Sequence, residues 1–280
     1  MRINNNVGAL NAQKQLNNNN NAITNRLEKL SSGKRVNRSS DDAAGLAISE
    51  KMRTQIIGTL TASRNTQDAV SLIQVAEGGL QSIQGMLQRS RELAIQSTNG
   101  TNDDTVDRNA IQGEFANIVG EVDDTAKTTE FNGMNVLDGT ASPVTIQAGP
   151  NSDDTVDIEI GAMTASQLLG FNDDNYDPAT DVNLASGAAA SAAIDTIDNA
   201  INDVSMQRAQ LGAMQNRLEF RQQTLDIQAE NAQAAESRIR DSDMAKMMSE
   251  LTAKNILQKA STAMLAQANA RPQNIVGMLS

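Results

Sequence analysis

The residues best suited to chemistry stand in Asp173-Asp174-Asn175-Tyr176-Asp177, where carboxylates at 173 and 177 and an amide at 175 have the spacing of a calcium-binding loop. The pattern then fails. Pro178 stands where such a loop needs the glycine of its sharp turn, and Leu184 where it needs a closing glutamate, so the segment reads as a solvated acidic loop. Histidine and cysteine are absent, which removes the commonest zinc and copper ligands, the usual neutral-pH general base and every thiol nucleophile. No Gly-x-Gly-x-x-Gly follows a strand, and there is no phosphate-binding Gly-Lys-Ser/Thr loop. Lys29, Lys34, Arg35 and Arg38 cluster near one loop and are read as a solvated helix end, not a phosphate site. No enzyme, catalytic residue, cofactor or bound metal is expected.

Charge points the same way. Residues 1–60 carry nine Lys or Arg against four acids, residues 61–204 carry five against 23, and residues 205–280 carry nine against seven. The strongly acidic middle would repel nucleic acid and anionic lipid, and it would keep a crowded assembly soluble. No apolar stretch approaches the ~18 residues of a membrane span. Met1 to Asn21 lacks the apolar segment of a cleavable signal peptide, so a soluble chain, or export without cleavage, is expected. Asn37-Arg38-Ser39 and Asn99-Gly100-Thr101 are weak N-glycosylation signals.

The elements that would position any site are long helices. Counting in sevens from Ile197 gives Val204, Leu211, Leu218, Leu225, Ala232 and Ile239, an apolar ladder with no proline. Only a long helix lying along partner helices needs that repeat. A second ladder, Ala69, Ile73, Ala76, Leu80, Ile83, Leu87 and Ala94, has Ser90 as its one gap. The rod-packing set is therefore Ile73, Leu80, Ile83 and Leu87 against Val204, Leu211, Leu218 and Leu225, with Arg208, Gln215 and Gln222 as polar positions across the seam. Ser39 with Asp42 resembles a capping box opening a helix that runs, with interruptions, into the 69–94 ladder. Ile111, Phe115, Ile118 and Val122 stripe a helix over 108–127. Asn132-Gly133 is a turn signal, and Val144, Ile146 and Ala148 alternate as do Val156, Ile158 and Ile160, which predicts a β-hairpin within about 131–170.

The ends differ from the rod. Ile3, Val7, Leu10, Leu16, Ile23, Leu27 and Leu30 form one stripe on an Asn- and Gln-rich helix, weakened by the asparagines from Asn17 to Asn21. Gly33 marks its end. After a joint at Arg240 to Asp243, Met244, Met248, Leu251, Leu257, Met264 and Leu265 stripe a last helix expected to end before Arg271-Pro272. The fold class is mainly α: a long antiparallel helical coiled-coil or bundle rod with a small β-hairpin region and paired N- and C-terminal helices. Residues 1–40 with 241–280 make a terminal coiled-coil domain and 41–240 a rod-like helical domain. Each arm is expected to stay largely disordered in the monomer and to order when subunits pack.

Three collinear motifs in the first half carry a resemblance: Leu30-Ser31-Ser32-Gly33-Lys34-Arg35-Val36-Asn37, Asp41-Asp42-Ala43-Ala44-Gly45-Leu46-Ala47-Ile48-Ser49, and Gln88-Arg89-Ser90-Arg91-Glu92-Leu93-Ala94. Phe131-Asn132-Gly133, Ser237-Arg238-Ile239-Arg240-Asp241-Ser242-Asp243 and Leu265-Ala266-Gln267-Ala268-Asn269 continue it, and together the chain resembles bacterial flagellin over essentially its whole length. About 50 residues separate Asp138 from Ala188, so it resembles a short form without large variable outer domains. The resemblance implies a subunit that polymerises into the flagellar filament for motility, extracellular and exported unfolded by the flagellar type III apparatus. Implied partners are copies of itself, a flagellin export chaperone, hook-filament junction and cap proteins, and Toll-like receptor 5. It also implies filament-core assembly through Ile3, Val7, Leu10, Leu251, Leu257 and Leu265, and a receptor or inter-subunit contact at Gln88, Arg89, Leu93 and Glu114. A hook-filament junction protein of the same helical family is the alternative.

Overall fold

The computed structural model describes residues 6–101, 103, 106–170, 182, 184 and 186–279, with side chains through 271. Ile3 and the Asp173–Asp177 segment lie outside the described residues. In chain order the elements are α1 (Val7–Ser32), α2 (Ala43–Thr98), α3 (Asp107–Thr128), β1 (Glu130–Phe131), β2 (Met134–Asn135), β3 (Val144–Gln147), β4 (Thr155–Ile158), α4 (Ala165–Leu168), α5 (Gly187–Arg240) and α6 (Met244–Leu279). They form two compact units, residues up to 56 with 230 onward, and residues 57–229.

In the first unit α1 and α6 pack along one another. Their direction is antiparallel: the Asn6 side chain donates to the Ala268 carbonyl at 2.8 Å, Asn19 to Ser261 Oγ at 3.1 Å, and Arg26 pairs with Glu250 at 2.7 Å. The asparagine run does not interrupt α1. Its amides are used sideways instead, Asn20 Oδ1 accepting from Gln258 Nε2 at 2.8 Å. At the C-terminal end of α1, Gly33 takes φ 68°, the left-handed conformation that glycine adopts without strain. The chain then returns beside the start of α6: Arg35 N donates to the Arg240 carbonyl at 2.7 Å and Ser242 N to that of Gly33 at 3.0 Å.

The sequence reading of the α2 start needs correcting. Asp42, not Ser39, caps the helix, accepting from Gly45 N at 2.8 Å, while Asp41 accepts from the Asn37 and Arg38 amides. Ser39 and Asp42 are both cap-type residues, and their spacing alone does not say which of them stands at the helix start. Nor is α2 interrupted, although Gly58, Gly78, Gly79 and Gly85 lie within it. Each glycine costs only about 1 kcal/mol in a helix, less than the buried ladder on its inner face contributes. At the other end, α6 passes Arg271-Pro272 and continues to Leu279. The proline removes a single backbone donor, its own, and the helix runs on at either side.

The second unit is built on the predicted ladders. Ile73, Leu80, Ile83, Leu87, Val204, Leu211 and Leu218 share one apolar cluster with Ile111, Phe115, Val119 and Val122 of α3, all of them buried. Leu225 is buried as well. Ser90, the gap in the ladder, is itself fully buried, and its hydroxyl has no hydrogen-bond partner. Ser63 Oγ donates to Asp226 at 2.9 Å and Arg91 pairs with Asp198 at 2.5 Å, so numbers rise on α2 as they fall on α5 and these parts of the two helices are antiparallel. Of the polar seam positions, Arg208 crosses to Glu77 and Gln84, whereas Gln215 turns to Glu219 on its own helix.

Two hairpins follow α3. Asn132 (φ 52°) and Gly133 (φ 77°) turn β1 into β2, both with the positive φ that a tight two-residue hairpin requires. β3 and β4 pair antiparallel as a hairpin, Val144 opposite Ile158 and Ile146 opposite Val156. This second hairpin is tied to both long helices: Asn65 donates to the Gln147 carbonyl at 3.2 Å and Arg221 to that of Ala148 at 2.9 Å. Leu184, the residue that spoils the calcium pattern, is fully buried, and Gln112 holds its segment by accepting from Leu184 N and donating to the Val182 carbonyl.

Candidate assembly surfaces

Among the described residues no group of three His, Cys, Asp or Glu side chains is placed to hold a metal ion, and no helix is long and apolar enough to cross a membrane. Three side chains of the basic cluster near the first loop are engaged within the chain. Lys29 pairs with Asp41 at 2.7 Å, Arg38 with Glu28 at 2.8 Å, and Arg35 donates to the Ile239 carbonyl. The Lys29 ammonium, helped by the Arg38 and Asn37 amides, holds the Asp41 carboxyl at about 2, below its usual 3.8.

What the first unit offers is unpaired apolar surface. α1 contains no buried residue. Val7 is 60% exposed and Leu10 66%, and on α6 Ile256, Leu257 and Met264 are exposed while Leu251 is buried and Leu265 half-buried. A helix contributes to folding mainly through the apolar face it buries. The half-buried side of α1 carries Ala9, Ala12, Leu16, Ile23 and Leu30 with Asn19 and Arg26 among them, while Leu10 and Leu27 are turned to water, so much apolar burial is still to be made. Of the assembly residues read from sequence, Val7, Leu10 and Leu257 thus lie on open surface and Leu251 within the α1–α6 pairing unit.

The second site read from sequence lies on the α2–α3 face. Arg89 pairs with Glu114 of α3 at 2.8 Å and with Glu92 at 2.9 Å. Those carboxylates, Glu114 first, raise the guanidinium pKa. Gln88 is exposed beside it. Leu93 is a correction to that set: it is 1% exposed and belongs to the apolar core. A repeat of three and four places it on the inner side of α2, beneath the surface that carries Gln88 and Arg89.

A family model described as the bacterial flagellin N-terminal helical region matches residues 3–142, and one described as the bacterial flagellin C-terminal helical region matches residues 194–279. The chain is 48% identical to a flagellin of Bacillus subtilis (strain 168) and 47% identical to one of Halalkalibacterium halodurans, with both chains covered completely in each case. It is 45% identical, again over all of both chains, to a flagellar filament 30.7 kDa core protein of Treponema maltophilum. Among solved structures, that of Bacillus cereus flagellin is 34% identical and covers 62% of this chain and 94% of that one, with a TM-score of 0.49. A flagellar hook-associated protein of Vibrio parahaemolyticus shares the fold, with a TM-score of 0.57 at 14% identity over 72% of this chain and all of that one.

Proposed function

The chain belongs to the bacterial flagellin family, and from that membership we propose that it is the structural subunit that polymerises into the flagellar filament for motility. The observation that carries this reading is the outward leucines and methionines of α1 and α6, on helices that bury little against each other. Such a surface is finished by neighbouring copies, and repeated packing of identical subunits gives an open helical polymer. Incubating the purified chain in a strongly salting-out buffer, which favours burial of apolar surface, should give long filaments by electron microscopy. A hook-filament junction protein would give none.

Four finer parts of the reading rest on the resemblance. The chain travels unfolded through the flagellar type III apparatus without a cleaved signal, and the Cys-free composition suits that route, because no wrong disulfide can form on the way. An export chaperone holds the apolar stripe of α6 before assembly, and junction and cap proteins bound the filament at its ends. Toll-like receptor 5 reads the surface made by Gln88, Arg89 and Glu114, with Leu93 supporting it from below. Arg89→Ala should lower signalling in a cell reporter assay with no change in monomer helicity, and equal signalling would remove the receptor reading.

A further inference from the structure

α5 carries two seven-residue ladders, and only one of them has a partner. The inner ladder, Val204, Leu211, Leu218 and Leu225, is buried. Two residues beyond each of these stand Met206, Ala213, Phe220 and Ile227, and all four are exposed. Phe220 is 70% exposed, the most of any large apolar side chain described. Two residues are about 200° around an α-helix, so this second stripe faces directly away from the core. Single exposed apolar residues are ordinary on a protein surface. A repeat of seven held through four positions is different, because it is the pattern that keeps one helix in register along another. Two grooves border the stripe on its hairpin side: one of about 450 Å³ is lined by Met206 with Asp203, Met163 and Leu168, and one of about 380 Å³ by Ala213 with Ile158, Leu211 and Arg217.

Resting on the filament reading, we infer that this face of α5 is a lateral contact occupied by a helix of a second copy of the chain. The area decides the kind of partner. Met206, Phe220 and Ile227 together present roughly 350 Å² of apolar surface, well short of the ~800 Å² that each partner buries in a stable binary complex. A contact of that size holds no dimer by itself. It becomes effective where each subunit touches several neighbours at once, so that small contacts add along a polymer.

The test uses the full chain under polymerising conditions. Phe220→Asp should cut the polymer formed at a fixed concentration at least about tenfold, as expected for loss of an apolar anchor at an interface, while Phe220→Leu retains assembly. Monomer circular dichroism should be unchanged for both, since the side chain lies outside the core. A nitroxide on Phe220→Cys, the only cysteine the chain would then contain, should be mobile in the monomer and immobilised in filaments. Wild-type-like assembly of Phe220→Asp, a nitroxide equally mobile in filaments, or one already immobile in dilute monomer would each overturn the inference and leave the filament reading standing. Wild-type chain that forms no filaments would overturn the filament reading itself.

Discussion

At the level of single residues, Asp41 is the clearest case of chemistry used for structure. It gathers the Lys29 ammonium and two backbone amides at the end of α1, and its carboxyl is held at about 2 instead of 3.8. A depressed value means the folded chain favours the charged form. Its contribution is therefore complete above about pH 4 and is lost as pH falls through 2. Asp41→Asn should lower the stability of assembled filaments at neutral pH by roughly 1–2 kcal/mol, and should flatten the fall in their melting temperature between about pH 4 and pH 2. Melts of both proteins across that range check it. The residues that sequence alone placed well were those on a strict period, such as Ile73 and Leu211. Ser39 was misplaced as the cap because a short motif names residue types, and only the completed helix shows that Asp42 stands at its end and that Leu93 lies on its inner side.

At the level of elements, the two kinds of helix differ in what they bury. α2 and α5 owe their length to ladders that close on one another and on α3. α1 has only a half-buried stripe that includes Leu16, Ile23 and Leu30, with no fully buried residue, and its hydrogen bonds to α6 come from side chains such as Asn19 and Asn20. Ordering a residue costs ~1–2 kcal/mol of backbone entropy, and surface hydrogen bonds return little of it. Amide hydrogen exchange should therefore be fast over 7–32 in monomer and slow in filaments, while 69–94 is protected in both. Strong protection of 7–32 in monomer would refute coupled ordering. The hairpins were legible because Asn132-Gly133 and the alternation of Val144 and Ile146 are local signals. The end of α6 was not: a proline reads as a stop, yet whether a helix ends there depends on more than the one donor it lacks. The outward stripe on α5 was missed because it shares its period with the buried ladder and differs only in phase.

For the whole molecule, removal of residues 261–280 separates the two roles. It deletes the α6 surface around Met264 and Leu265 and the bonds that Asn6 and Asn19 make to α6. The truncated chain should form no filaments by electron microscopy and should keep the melting transition of residues 57–229, whose apolar cluster it leaves intact. Filaments from this truncation would refute the assembly role of the arm.

The bond from Asn6 to Ala268 joins residues 262 apart in sequence. A ribosome adding ~5–20 residues each second finishes the second partner roughly 10–50 s after the first. Throughout that interval α1 has nothing native to pair with, and closing so long a loop is slow even once both ends exist. The pairing of the two ends thus acts as a clock: the chain cannot complete its fold before its synthesis is complete, and until then the leading segment has no native partner within the chain.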